Sequence, residues 1–419
     1  MRNASLWAAL LGVEKTVVED VEFDDDAEVV VVRVRPRAGR ARCGRCLRRS
    51  PAYDRGEGRR RWRGLDLGTI PVWLEADAPR VDCAEHGVTV RAVPWARHGA
   101  GHTIAFDEQV AWLATQCSKT AITELMRIAW RTVGSIITRV WADMEALHDR
   151  FAGLRRIGVD EISYKRGHKY LTVVVDHDTG RLVWAAPGRD KATLAAFFDI
   201  LGSERCAQIT HVSADGADWI SSVVADRCPA AVRCADPFHI VKWATEALDE
   251  VRRQAWNTAR GAVTQRLAGR AHGHAKALKH ARHALWKNPE NLTCRQRVKL
   301  DWIAKTDPRL YRAYLLKEGL RLVFQLAPDE AAEALDRWIG WARRCRSPAF
   351  VAFQRRIVKH RASILAAIEH GLSNGRIESV NTKIRLITRI GFGFKSPDAL
   401  IALAMLSLGG HRPTLPGRK

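Results

Sequence analysis

The sequence predicts a multidomain α+β protein, and three observations predict it. Strand-like runs lie between two Cys/His pairs in the first hundred residues, and residues 104 to 147 switch to a helical period. From Arg155 short β-branched runs alternate with helical segments, before a nearly all-helical stretch that lasts to about residue 370. At 419 residues the chain has room for roughly two to four domains with proper cores. A hydrophobic content of 47% fits a folded chain rather than a disordered one.

The opening run MRNASLWAALLGVEKT reaches Glu14 and Lys15 without a small-residue cleavage site, so an ordinary amphipathic helix is expected there. No stretch offers about 18 uninterrupted apolar residues, so the expectation is a soluble, intracellular protein with no membrane partner.

In the first hundred residues Cys43 and Cys46 stand in RCGRC, and Cys83 and His86 in DCAEHG. A two-residue gap lets one tight turn present two side chains to one tetrahedral ion, and thiolates with an imidazole suit zinc. Strand-like segments between the pairs, including Thr69 to Ala76, can return one pair to the other as a small β ribbon. The alternative is two unrelated cysteine turns. Cys117, Cys206, Cys228, Cys234, Cys294 and Cys345 lack such pairing and read as small core residues.

Phe106, Val110, Leu113 and Ala114 form one helical stripe, Ile122, Leu125 and Met126 a second, and Trp130, Val133, Ile136, Ile137 and Val140 a third. The run RIAWRTVGSIITRVW resembles the turn and recognition helix of a helix-turn-helix. Its apolar positions are used for packing, which leaves Arg131, Thr132 and Ser135 to face a major groove. A plain three-helix bundle is the alternative.

Beyond Arg155, strands are expected at Ile157 to Asp160, His168 to Asp176 and Arg181 to Ala186, with a tight turn at Asp178, Thr179 and Gly180. A helix over Ala192 to Leu201, a strand ending at Asp215, a helix from Ala217 and a short strand over Ala231 to Cys234 follow. Three hairpin-connected strands, then helix, strand, helix, strand, is the order of a ribonuclease-H-like core. There the first and fourth strands are neighbours, which sets Asp160 beside Asp215.

After Asp236 the pattern is helical. Residues 251 to 300 carry twelve Lys/Arg and one acid, Glu290, with Trp256 and Trp286 interspersed. Such a block can track a phosphate backbone while its tryptophans pack or stack on bases. His272, His274, His280 and His283 fall in this run without acidic or cysteine partners and are not expected to bind metal.

Three acids read as one further metal site: Asp160 in RRIGVDEIS, Asp215 in HVSADGAD and Glu378 in SNGRIESVNTKIR. Two strand ends and a helix supply an all-oxygen set suited to magnesium, and a pair of such ions serves phosphodiester chemistry. Composition agrees, since a net charge of +22 and an isoelectric point near 10.1 call for a polyanionic partner.

Taken together, RCGRC, RRRWRGLDLG, RVDCAEHG, VPWARHG, AWRTVGSIITRV, GVDEISYKRGHKYLTVVVD, SADGA, DPFHIVKW and SNGRIESVNTKIRLITRIGFGF resemble the bacterial insertion-sequence transposases of the ISL3 family over essentially the whole chain. The resemblance implies a zinc-binding N-terminal module over residues 1–100, a helix-turn-helix over 101–150 and a ribonuclease-H-like DDE core. That core would occupy 151–248 and 369–410, be interrupted by an all-helical insertion over 249–368, and precede a tail at 411–419. Its catalytic triad falls on Asp160, Asp215 and Glu378, holding two magnesium ions for which manganese can stand in; Asp236 is the alternative second ligand.

Asp236 and His239 match the family pattern and are expected near the active site. Asn374, Arg376, Asn381 and Lys383 lie on or just before the Glu378 helix and are expected to reach DNA. The implied activity is binding of terminal inverted repeats of double-stranded DNA with metal-dependent cleavage and strand transfer into target DNA. At least a dimer would form during reaction, in the bacterial cytoplasm at the nucleoid. A domesticated DNA-binding regulator without catalysis is the rival from another class, and a plain metal nuclease a third.

Overall fold

A computed structural model describes residues 3–37, 39–263 and 275–418, and it is a mixed α/β, multidomain structure. The chain divides into two compact units, Met1–Arg150 with Leu386–Lys419, and Phe151–Arg385. Among the described residues no helix is long and apolar enough to cross a membrane.

The first unit opens with α1 (Asn3–Leu10) and carries β1 (Thr16–Asp24), β2 (Val29–Pro36), β3 (Ala52–Asp54), β4 (Arg59–Arg63), β5 (Val72–Asp77), β6 (Arg80–Cys83) and β7 (Gly87–Val90). One sheet runs β1-β2-β5-β4 and a smaller one β3-β6-β7. In the larger sheet β5 buries alternate residues, Val72, Leu74 and Ala76, as a half-buried strand of period two should, while β2 buries Val30, Val31, Val32 and Val34. Trp62 closes this core edge-on against Trp95, with ring centroids 5.6 Å apart.

Three helices follow: α2 (Ile104–Ala114), α3 (Lys119–Met126) and α4 (Trp130–Leu147). Thr103 and Ser118 cap α2 and α3 by accepting backbone N–H bonds from Phe106 and Ala121. Arg127, at φ 52°, ends α3. Phe106, Val110, Ile122, Met126, Val133, Ile136, Ile137 and Val140 are buried as their stripes predict, whereas Leu125 is 60% exposed. A bidentate bond from Arg139 to the fully buried Asp107, at 2.8 and 3.0 Å, ties α4 to α2. Lys119 is buried with its ammonium 3.7 Å from the Phe394 ring centroid, and that burial pushes its pKa down to about 8.

In the second unit β8 (Arg156–Lys165), β9 (Lys169–Asp176), β10 (Leu182–Pro187), β11 (His211–Ala214) and β12 (Val232–Ala235) form one sheet in the order β10-β9-β8-β11-β12. The first three pair antiparallel; β11 joins β8 and β12 in parallel. The β-branched run of β9 is buried residue after residue, as a strand covered on both faces requires. Helices α5 (Lys191–Leu201), α6 (Ser203–Cys206) and α7 (Asp218–Arg227) follow, and Phe197, Phe198, Ile220 and Val224 pack with Ile157, Val159 and Val212. Each such side chain contributes about 1.5–3 kcal/mol by leaving water.

The long helix α8 (Pro237–Val263) leads into a helical region whose core includes Leu248, Leu310, Leu335, Trp338 and Phe350. Trp256 and Trp286 pack against that core, with Arg260 and Arg282 over their rings at 4.9 and 3.7 Å. Part of the basic block, with His272 and His274, lies outside the described residues. Glu378 sits on the helix Gly375–Ile390. The last expected core segment, 369–410, is divided, because residues from Leu386 onward cluster with the first unit. The reason is the helix Pro397–Leu408, which buries Leu400 and every residue from Ala402 to Leu406 and packs on α4.

Candidate active site

Parallel register brings three aspartates into a row. Val159 on β8 pairs with Ala214 on β11, and Ala214 pairs with Ala235 on β12. Asp160, Asp215 and Asp236 are the next residues of these three neighbouring chains. Equivalent positions on adjacent parallel strands project to the same face, about 4.8 Å from strand to strand. The arrangement leaves an electrostatic trace. Burial, then the negative charges of Asp215 and Asp236, raise the pKa of Asp160 against the opposing Glu161 N–H and His239.

Asp236 is buried and closes the row. It accepts N–H bonds from Phe238 and His239 at the start of α8, each at 3.3 Å, and its Oδ2 lies 2.5 Å from His239 Nδ1. That bond raises the His239 pKa, with Asp215 and Asp160 adding to the effect. His239 therefore stands in the field of the two expected catalytic aspartates, and the Asp236 charge acts on Asp160.

The Glu378 helix is docked from beneath by two buried asparagines. Asn374, 1% exposed, accepts from Ser213 Oγ at 2.7 Å and donates its backbone N–H to Asp236 Oδ1 at 3.3 Å. Asn381, 2% exposed, donates from Nδ2 to Asp160 Oδ2 at 2.7 Å. With Ile377 and Ile384 they form the stripe 374, 377, 381, 384 that faces the sheet. Glu378 lies between the two asparagines along the helix and is exposed. Gly158 makes this docking possible: a Cβ there would lie 2.1 Å from Ile377 Cδ1 and 2.8 Å from His177 Nε2.

Of the residues expected to touch DNA, Asn374 and Asn381 are thus taken up inside the fold, because they share the buried stripe. Arg376 donates to the carbonyls of His177 and Asp178, and Lys383 is exposed. On α4, Arg131 and Ser135 are exposed and Thr132 half-buried, while Ser135 Oγ donates to the Arg131 carbonyl at 3.2 Å.

Several residues of the site escape sequence reasoning. Glu161 is raised to about 7 by burial and by the charges of Asp215 and Asp160, with Arg189 opposing. Arg233, half-buried, donates to Ser221 at 3.0 Å in the field of Asp215. His177, 4% exposed, meets Ser213 Oγ at 2.6 Å; since that hydroxyl donates to Asn374, the imidazole donates from Nε2. A lone buried histidine after β9 offers no signal in the sequence, whereas Asp236 is expected from it.

The second centre lies in the first unit. Cys43, Cys46, Cys83 and His86 offer ligand atoms that all lie within 4.8 Å of one another, and among the described residues they form the single such group. Cys46 and Cys83 sulfurs are 3.7 Å apart, and His86 Nδ1 is 3.9 Å from Cys43 Sγ and 3.8 Å from Cys83 Sγ. A tetrahedral zinc with Zn–S near 2.3 Å and Zn–N near 2.0 Å has edges of about 3.5–3.8 Å, so the quartet fits the ion. The N–H of Glu85, then the side chain and N–H of His86, hold the Cys83 thiol down at about 6, ready to ligate.

Comparison with known proteins covers the segments that hold both centres. A family model described as a transposase, of the ISL3 DDE type, matches residues 157–404. The helix-turn-helix domain of transposase family ISL3 matches residues 91–141, and the zinc-finger of transposases IS204/IS1001/IS1096/IS1165 matches residues 39–86. The transposase for insertion sequence element IS1557 of Mycobacterium tuberculosis, in strains CDC 1551 / Oshkosh and H37Rv, is 66% identical over 436 aligned positions, covering 100% of this chain and 98% of the relative. The transposase for insertion sequence element IS1001 of Bordetella parapertussis is 26% identical over 403 positions, covering 95% of this chain and 96% of the relative. The chain belongs to the ISL3 family of insertion-sequence transposases and is a DDE-type DNA transposase.

Proposed function

We propose that Asp160, Asp215 and Glu378 are the catalytic carboxylates and that the sheet of the second unit is a ribonuclease-H-like core. Residues 249–368 form a helical insertion that parts this core from its continuation at residue 369. The zinc module and helix-turn-helix, over 1–100 and 101–150, bind the terminal inverted repeats, with Arg131, Thr132 and Ser135 toward the major groove. The observation that carries the reading is the docking of the Glu378 helix, through Asn374 and Asn381, onto strands that end in register on aspartates.

The oxygen-only donors of that row suit magnesium, or manganese in its place. A bound pair of such ions supplies charge neutralisation at the attacking and leaving oxygens of a phosphodiester. The protein's own residues orient the reaction. Asn381 fixes the Asp160 carboxylate, and Asp236 fixes His239. In the first step water adds to the phosphodiester at the element's end and its P–O3′ bond breaks, which frees a 3′ hydroxyl and leaves the phosphate on the flanking 5′ end. In the second that hydroxyl attacks a target phosphodiester, joins its phosphorus and expels the target strand's 3′ oxygen as a free 3′ hydroxyl. Pairing of two ends makes the reacting species at least a dimer.

The test is a cleavage and joining assay on labelled duplex taken from the DNA flanking the chain's own coding sequence, with magnesium, comparing the native protein with Glu378→Gln. Nicks at the repeat boundary and joined products from the native chain alone, with equal binding by both, support the assignment. Binding without cutting by the native chain would favour a regulator instead.

A further inference from the structure

The loop that carries Asp215 is covered by an aromatic ring. A Cβ on Gly216 would lie 2.3 Å from Cη2 and 2.7 Å from Cζ2 of Trp243, so the indole of α8 rests directly on the backbone next to Asp215. The other component comes from the helix Pro348–Lys359, whose Arg356 has its guanidinium carbon 3.3 Å from the Trp243 ring centroid. Arg356 is exposed and Trp243 half-buried. Lys359, one turn on, bonds Asp218 at 2.7 Å and secures the end of that helix beside α7.

This stack brings a cation from the helical region into the field of Asp215, Asp218 and Glu246. Among the described residues the guanidinium has no hydrogen-bond or ion-pair partner. A ring against its face leaves the planar N–H edge open, the edge that matches two phosphate oxygens at once. Favourable placement of a cation in the last turn of a helix accounts for a basic residue there. It does not account for the indole, or for the bare backbone that lets the indole in.

We propose that Arg356, held by Trp243 over Gly216, is a phosphate clamp that grips both non-bridging oxygens of one phosphate of the DNA strand, beside the phosphodiester to be cut. The clamp rests on the assignment of Asp215 to the catalytic site. It gives the helical region a direct part in presenting the strand: Trp243 positions, and Arg356 touches the substrate.

The test uses the full chain and duplexes from the DNA flanking its coding sequence, each with one phosphate replaced by an uncharged methylphosphonate at successive positions across the junction. Binding is measured without magnesium, so that cutting does not intervene. One junction position weakens native binding about ten-fold, the size of one charge-assisted hydrogen bond. In Arg356→Ala the same position costs about two-fold or less, while the costs at other positions persist, because only the coupled pair is non-additive. The variant also lowers the slope of log K against log salt by about 0.9. Arg356→Lys keeps the slope and loses most of the positional effect, since an ammonium cannot present the fork. Equal costs for native chain and Arg356→Ala at every position overturn the clamp. Coupling in a chain that never cuts with magnesium would leave the clamp standing and remove the catalytic assignment; cutting without coupling would do the reverse.

Discussion

Asn381 donates its side-chain N–H to Asp160 across 2.7 Å, joining a helix to a strand 221 residues earlier in the chain. Asn381 is buried and Asp160 half-buried, so the bond orients a carboxylate whose pKa burial and two neighbouring aspartates raise. Asn381→Leu keeps volume and removes the donor. Cleavage in a single turnover should fall about ten-fold or more, DNA binding should hold, and stability should drop by about 1–3 kcal/mol. Urea unfolding and a cleavage time course read the two effects apart; a native rate in the variant would mean that the amide only fills space.

Much of this site could be seen before any coordinates. β9 and β10 each begin and end within about a residue of expectation, and the β-branched run of β9 is legible because burial on both faces leaves little freedom in composition. β8 starts as expected but runs on to Lys165, five residues past the expected end at Asp160, where its residues turn mostly polar and less buried. The Cys43, Cys46, Cys83, His86 quartet was legible because metal geometry restricts spacing. What remained hidden depends on register and packing. Asn381 reads as a polar residue on an exposed helix face until Ile377 and Ile384 are known to be buried beside it. Gly158 reads as an ordinary strand glycine until Ile377 is seen against it. The apolar helix Pro397–Leu408 reads as more core, and only three-dimensional contact assigns it to α4.

The zinc quartet makes a second prediction. Few hydrophobic residues surround it, with Val81 alone buried beside Cys43 and Cys83, so the metal rather than a core must hold the two turns together. Cys83→Ser should abolish bound zinc, measured by elemental mass spectrometry, and should open the segment 39–90 to limited proteolysis. Cys294→Ser, at an exposed thiol outside the quartet, should retain both zinc and protection. Chelation of the native chain should reproduce the Cys83→Ser digest; an unchanged digest would show that the strands hold without the ion.

The third prediction concerns acid. His177 is buried, donates to Ser213, and has its pKa pushed down to about 4 by burial and by the nearby Arg376 and Arg156 charges. The unfolded chain takes up this proton near pH 6.5, where the folded chain still refuses it. Stability from this residue is therefore full above about pH 6.5 and is lost as pH falls toward about 4, amounting to about 2 kcal/mol at pH 5. Glu161 works in the opposite sense. Its folded pKa is raised to about 7, so the folded chain binds that proton first and gains stability as pH falls from about 7. The native stability curve carries both contributions and can look flat, so the difference between two proteins is the informative quantity. His177→Gln supplies an amide donor for Ser213 and has no proton to gain. Urea unfolding of both proteins between pH 8 and about pH 5 should show the native chain losing stability relative to the variant on acidification, by about 2 kcal/mol. Parallel curves would place the His177 proton affinity near its ordinary value and remove the buried neutral imidazole from the account of how the Glu378 helix is held.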